Sequence, residues 1–204
     1  MLGFLSRFFK PKPEKQKSDK AIAGVIDQER RYLIRVSLAR DIANAVKICN
    51  ILFSNLAYVP TLFREDIQVI SALYQPCDNE NDFYVKLGAL AGFFQVDPKP
   101  WNALFPELDP KIQRANTLII NWFDKQKIVY DQEITRVWEN IQVLRNASFP
   151  FYQTDQRWIK LAKLFGQDFP INYADYYESI LRMFLDSLKM LQTILNGVSA
   201  RSKA

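Results

Sequence analysis

Histidine is missing from all 204 residues of this chain. Its absence removes Ser-His and Cys-His nucleophile pairs, imidazole general bases, mixed Cys/His zinc sites and the Glu-x-x-His di-iron bundle. Glycine is scarce, with six residues scattered so that none forms a GxGxxG or a Walker loop. Only two cysteines occur, 28 positions apart, too few for a disulfide framework or a zinc cluster. Cys49 lies in an apolar run and reads as a buried small hydrophobe, whereas Cys77, in Gln75-Pro-Cys-Asp-Asn79, reads as an exposed thiol. No apolar run is long enough for a transmembrane helix, and no signal peptide is evident. These absences suit a reducing compartment, and the expected location is cytoplasmic, with peripheral contact to a membrane. Period-two alternation bounded by turn dipeptides is also missing, so no sheet is expected.

The residues present describe a helical body with basic ends. Aromatics make up 14% and apolar residues 49% of the chain, enough to build a core without staples. Residues 1–20 carry six Lys/Arg against Glu14 and Asp19, a balance of +4, and residues 201–204 add Arg201 and Lys203. With a net charge of +5, the body at 21–200 is left at −1. A duplex-binding domain would carry its positive charge on the folded face rather than on its tails.

At the start, Leu2, Phe4, Leu5, Phe8 and Phe9 fall on one side of a helical wheel, and Arg7, Lys10, Gly3 and Ser6 on the other. Such a segment suits a membrane interface or a partner's groove. Docking of the phenylalanines on the chain's own core is the competing reading. Residues 11–20 contain two prolines and no apolar side chain, and read as a flexible or extended tether. The organisation expected is an amphipathic segment at 1–10, a Lys/Pro-rich tether at 11–20, a helical domain at 21–200 and a basic tail at 201–204.

Helical periodicity dominates the body. Ile22, Val25, Tyr32, Val36, Ala39, Ala43, Val46 and Phe53 step by three and four along a first long helix, with Glu29 and Asn50 as polar exceptions. Asp109-Pro110 opens a second, with Ile120, Phe123, Tyr130, Ile134, Val137, Ile141 and Leu144 in its seam and Lys127 as the break. Their matching lengths suggest an antiparallel pair. Shorter helices are expected over 62–74, 83–96 and 154–165, the last closed by a left-handed Gly166. Gly88 and Gly92, four apart, suggest close approach by another backbone. Asn172 caps a final helix, 173–196, with Gly197 after it. The fold class is therefore all-α, an irregular antiparallel bundle of five or six helices, two of them long, with a short N-terminal amphipathic helix on a basic tether.

Few residues suggest chemistry. Asp175 and Glu178 share a helix face beside Tyr173, Tyr176 and Tyr177 and could hold a cation, although acids in a first turn also complement the helix dipole. Arg30, Arg31, Arg35 and Arg40 could meet phosphate, but Asp27, Glu29 and Asp41 accompany them. No catalytic residue, cofactor or metal site is assigned. The expected function is a non-enzymatic interaction or assembly subunit that docks through Leu2, Phe4, Leu5, Phe8 and Phe9, flanked by Arg7 and Lys10, on an anionic membrane surface or another protein. The alternatives are a nucleic-acid-associated coat or packaging component using its basic tails, and an enzyme working with carboxylates or tyrosines.

Overall fold

The computed structural model describes residues 13–58, 61–107, 114–147, 156–167 and 171–201. Among them are eight helices: α1 (Pro13–Ala57), α2 (Ile67–Tyr74), α3 (Glu80–Gly92), α4 (Pro98–Leu104), α5 (Ala115–Lys125), α6 (Glu133–Ala147), α7 (Gln156–Leu164) and α8 (Tyr173–Arg201). The all-α expectation holds, and the one β feature among the described residues is an isolated bridge between Gln95 and Arg114. The chain divides into two units, residues 1–35 and 36–204, with the boundary inside α1.

Two expectations of helix extent need correction here. Residues 13–20 are the first turns of α1 rather than an extended tether; Pro13 opens that helix, where a proline's missing N–H costs nothing. The helix expected from Asp109-Pro110 to Asn146 is two helices, and the Asp109-Pro110 start lies outside the described residues. The break comes at Lys127, which adopts a left-handed backbone with φ of 54°. Its N–H donates to Asp124 O at 3.1 Å and the Ile128 N–H to Phe123 O at 2.9 Å, the paired bonds of a Schellman ending. This split and the short α4 raise the count above the five or six helices expected. The two long helices are α1, with 45 residues, and α8, with 29.

Local signals set most of the helix starts. Asp66, Asn79 and Asp97 cap α2, α3 and α4 by accepting from Gln68, Asp82 and Lys99 N–H groups. Asp131 accepts from Glu133 N at the start of α6, and Asn172 from Ala174 N and Asp175 N at the start of α8. Gly166 has φ of 73° and closes α7 as expected. Gly197 does not end α8, which continues to Arg201.

Within residues 36–201, α6 is the central element, packing on α3, α5, α7 and α8. Its seam residues Ile134, Trp138, Ile141 and Leu144 are fully buried. The α8 stripe of Tyr176, Ile180, Phe184, Leu188, Leu191 and Leu195 is fully buried too. Aromatic rings tie the helices together: Trp138 lies 5.1 Å from Phe63 and 5.8 Å from Phe94, and Phe94 lies 5.4 Å from Phe184, centroid to centroid. The C-terminal half of α1 meets α8, where Gln192 Nε2 donates to Ala45 O at 3.1 Å. Phe53 of α1 stacks on Trp101 and meets Trp122 edge-on. The expected antiparallel pair of α1 with a single 110–146 helix is thus replaced by packing around α6.

Gly88 and Gly92 behave differently from each other. A Cβ on Gly92 would meet Val69 Cγ2 at 3.0 Å, so the close neighbour is an α2 side chain; on Gly88 it would meet nothing within 4 Å.

One buried polar pair joins α6 to α8. Trp138 Nε1 donates to Ser187 Oγ at 2.8 Å, and that hydroxyl donates to Phe184 O at 2.7 Å. Ser187→Ala leaves a buried indole N–H without its acceptor, an expected loss of about 1–3 kcal/mol. Urea unfolding followed by tryptophan fluorescence would measure it, and an unchanged midpoint would show that the bond contributes nothing.

Candidate functional site

The residues expected to dock, Leu2, Phe4, Leu5, Arg7, Phe8, Phe9 and Lys10, lie outside the described residues. The described part of the 1–35 unit is the N-terminal half of α1, and it presents apolar side chains to solvent. Val25 is 58% exposed, Ile26 60%, Tyr32 52% and Leu33 66%. Val25 with Tyr32, and Ile26 with Leu33, are seven residues apart and share a helix face. Val25 and Tyr32 were expected in a buried seam, and the structure corrects that. An ion pair borders the face, with Arg31 Nε meeting Asp27 Oδ2 at 3.0 Å; in the 36–204 unit, Arg40 Nε lies 3.6 Å from Asp41. Two of the four arginines that suggested phosphate contact therefore have carboxylates beside them.

The carboxylate group at the start of α8 serves the helix. Glu178 accepts from Arg182 Nη2 at 2.6 Å, one turn on, and Asp175 lies in the first turn, where it complements the dipole. Tyr173 has its hydroxyl pKa raised, first by burial and then by the charge of Glu80; burial alone raises that of Tyr176. Both shifts keep these tyrosines protonated, so neither is a ready base. Among the described residues no three His, Cys, Asp or Glu side chains gather as a metal site.

Both thiols are buried, which corrects the reading of Cys77 as exposed. Its Sγ donates to Tyr173 O at 3.6 Å. Burial pushes the Cys49 thiol up to about 12 against a smaller opposing effect of the Gln192 hydrogen bond, so the thiolate needed for nucleophilic chemistry is scarce at neutral pH. Lys86 is buried, with Nζ donating to Ala72 O at 3.4 Å and lying 5.9 Å from the Tyr177 ring centroid.

Two concavities are formed by described residues alone. A cleft of about 110 Å³ is lined by Gln95, Arg114, Gln142 and Arg145 among others, and Arg145 donates to Asn146 Oδ1 at 3.1 Å. A larger groove, about 570 Å³, runs between the α5–α6 loop and the last turns of α8. Its wall includes Lys127 and Arg201 together with Ile128, Val129, Ile194 and Val198. Val129 is 96% exposed. Gly197, inside α8, also faces it, at a helix-interior position where glycine costs about 0.5–1 kcal/mol relative to alanine. Sequence reasoning missed this groove; the only local signals were the break at Lys127 and the glycine near the end of α8.

No family model, curated protein or solved structure matches the chain. No helix among the described residues is long and apolar enough to cross a membrane.

Proposed function

We propose that the protein is a non-enzymatic interaction or assembly subunit. Residues 36–201 form its scaffold, and the N-terminal region carries its docking surface. The observation that carries this reading is the exposed face of Val25, Ile26, Tyr32 and Leu33 on α1. An isolated helix is marginal in water, and most helical stability in proteins comes from packing an apolar face. Burying one Val, Leu, Ile or Phe side chain is worth about 1.5–3 kcal/mol before ordering costs. Charges of both signs beside the face, Asp27 and Glu29 with Arg30 and Arg31, suit a helix of a partner protein better than a uniformly anionic surface.

The segment containing Leu2, Phe4, Leu5, Phe8 and Phe9 adds a second contact in this reading, to a membrane interface or to the same partner, with Arg7 and Lys10 favouring anionic lipid. Two weak contacts on one arm gain by avidity. The buried thiols and the helix-capping carboxylates support a role outside catalysis.

The reading has a direct test in the full-length protein. Ile26→Ser/Leu33→Ser changes only exposed positions, so the melting temperature should stay within a degree or two while the native complex dissociates, as followed by light scattering of material purified with its partners. A complex that survives the double substitution would overturn the proposed surface. Phe4→Ser/Phe8→Ser should separately reduce flotation with anionic liposomes. The salt response separates this from nucleic-acid packaging, because phosphate contacts weaken steeply with salt and apolar ones do not.

A further inference from the structure

We propose that the groove between the α5–α6 loop and the C-terminal turns of α8 binds a single-chain anionic amphiphile, a long-chain carboxylate. Its hydrocarbon tail lies along Ile128, Val129, Ile194 and Val198, and its head group meets Lys127 and Arg201. This site is independent of the exposed face of α1.

Size is the first argument. At about 570 Å³ the groove falls within the range of small-molecule sites, about 300–1,000 Å³. Lining chemistry is the second. The groove wall carries four aliphatic residues, and Val129 among them stands almost wholly in water.

Charge is the third argument. Lys127 and Arg201 both line the groove, and neither has a carboxylate partner among the described residues. Asp124 and Asp131 flank the loop in sequence but do not line the groove. Two cations lining one groove favour an anionic ligand. Gly197 is the fourth argument. A Cβ there would meet nothing within 4 Å, so the missing side chain leaves open space at the groove rather than relieving a clash.

The test uses full-length protein and dodecanoate below its micelle concentration, with dodecyltrimethylammonium and dodecanol as cationic and neutral controls, read by titration calorimetry. Dodecanoate should bind at one per chain, and the ammonium should bind at least about tenfold more weakly. Arg201→Glu should weaken dodecanoate by about tenfold, and Lys127→Gly, which the left-handed backbone accepts without strain, should weaken it several-fold. Gly197→Leu fills the open space and should abolish binding without lowering the melting temperature. Should Gly197→Leu fail to fold, the Arg201 and Lys127 variants decide the outcome. The proposal is overturned by absence of saturable binding, by equal affinity for the ammonium, or by Arg201→Glu and Lys127→Gly both binding like the parent. Engagement of Arg201 by anionic vesicles without any binding of dodecanoate would overturn it as well.

Discussion

Ile141→Asp should remove most of the stability of the helical body. Ile141 is fully buried on α6, the helix that packs against α3, α5, α7 and α8. Truncating a buried isoleucine costs about 2–5 kcal/mol through lost contacts and the cavity left behind. The aspartate then adds an unpaired polar group among aliphatic and aromatic side chains, a further cost of several kcal/mol. Set against a typical total of about 5–15 kcal/mol, the sum leaves little folded protein at 37 °C. The loss should depend on pH, with a defined sign. Burial raises the pKa of a carboxyl group, so the folded state takes up a proton that the unfolded chain releases at about 3.9. The ionic part of the penalty is absent below that pH and grows as pH rises towards the folded-state value. Ile141→Asn, which does not titrate, should show the loss without this pH dependence. Circular dichroism melts of the two variants from pH 4 to 8 would measure both effects, and melting unchanged from the parent would mean that α6 is not the centre of the core.

Asn50→Ala should be almost as damaging, for a different reason. Asn50 is a buried polar side chain on α1 that fastens the segment after it. Its Oδ1 accepts from Leu62 N at 2.9 Å and Phe63 N at 2.7 Å, while its Nδ2 donates to Phe63 O at 2.8 Å and Glu65 Oε1 at 2.7 Å. Leu62 and Phe63 are fully buried, so water cannot replace the lost bonds cheaply. Leaving a buried donor or acceptor unsatisfied costs about 1–3 kcal/mol, and several are stranded together. A total of about 3–5 kcal/mol is expected. The effect should also be visible locally, because Phe63 packs edge-on against Trp138 at 5.1 Å and its displacement should alter tryptophan emission in the folded state. A loss below about 1 kcal/mol with unaltered emission would show that the side chain does not hold this segment.

Asn50 also marks where sequence reading reached its limit. In the helical pattern it is an interruption in an apolar seam; in the structure its amide accepts from the Leu62 and Phe63 N–H groups, twelve and thirteen residues later, while α2 begins at Ile67 behind its own Asp66 cap. Cys77 follows the same logic. Its neighbours Gln75, Pro76, Asp78 and Asn79 are polar or turn-forming, yet the thiol is buried, with the carbonyl of Tyr173, 96 positions away, beside it. Val25 and Tyr32 failed in the opposite direction, since their helical spacing was legible but spacing does not say whether anything covers a face.

What the sequence determined by itself was set by interactions within a few residues. Helical period, the Asn172 cap, the left-handed Gly166 and the buried stripe of α8 all depend on backbone groups or side chains one to four positions apart, and each was legible. Lys127 stood out as the break in its seam, though not as a Schellman ending between two helices. Only the tertiary structure decided that α6 would be the hub, that Asn50 would latch a loop, and that Lys127 and Arg201 would line one groove. Those two residues are 74 positions apart, and their adjacency follows from how α5, α6 and α8 pack. Packing of that kind depends on the shapes of whole helix faces, which no local pattern of residue types records.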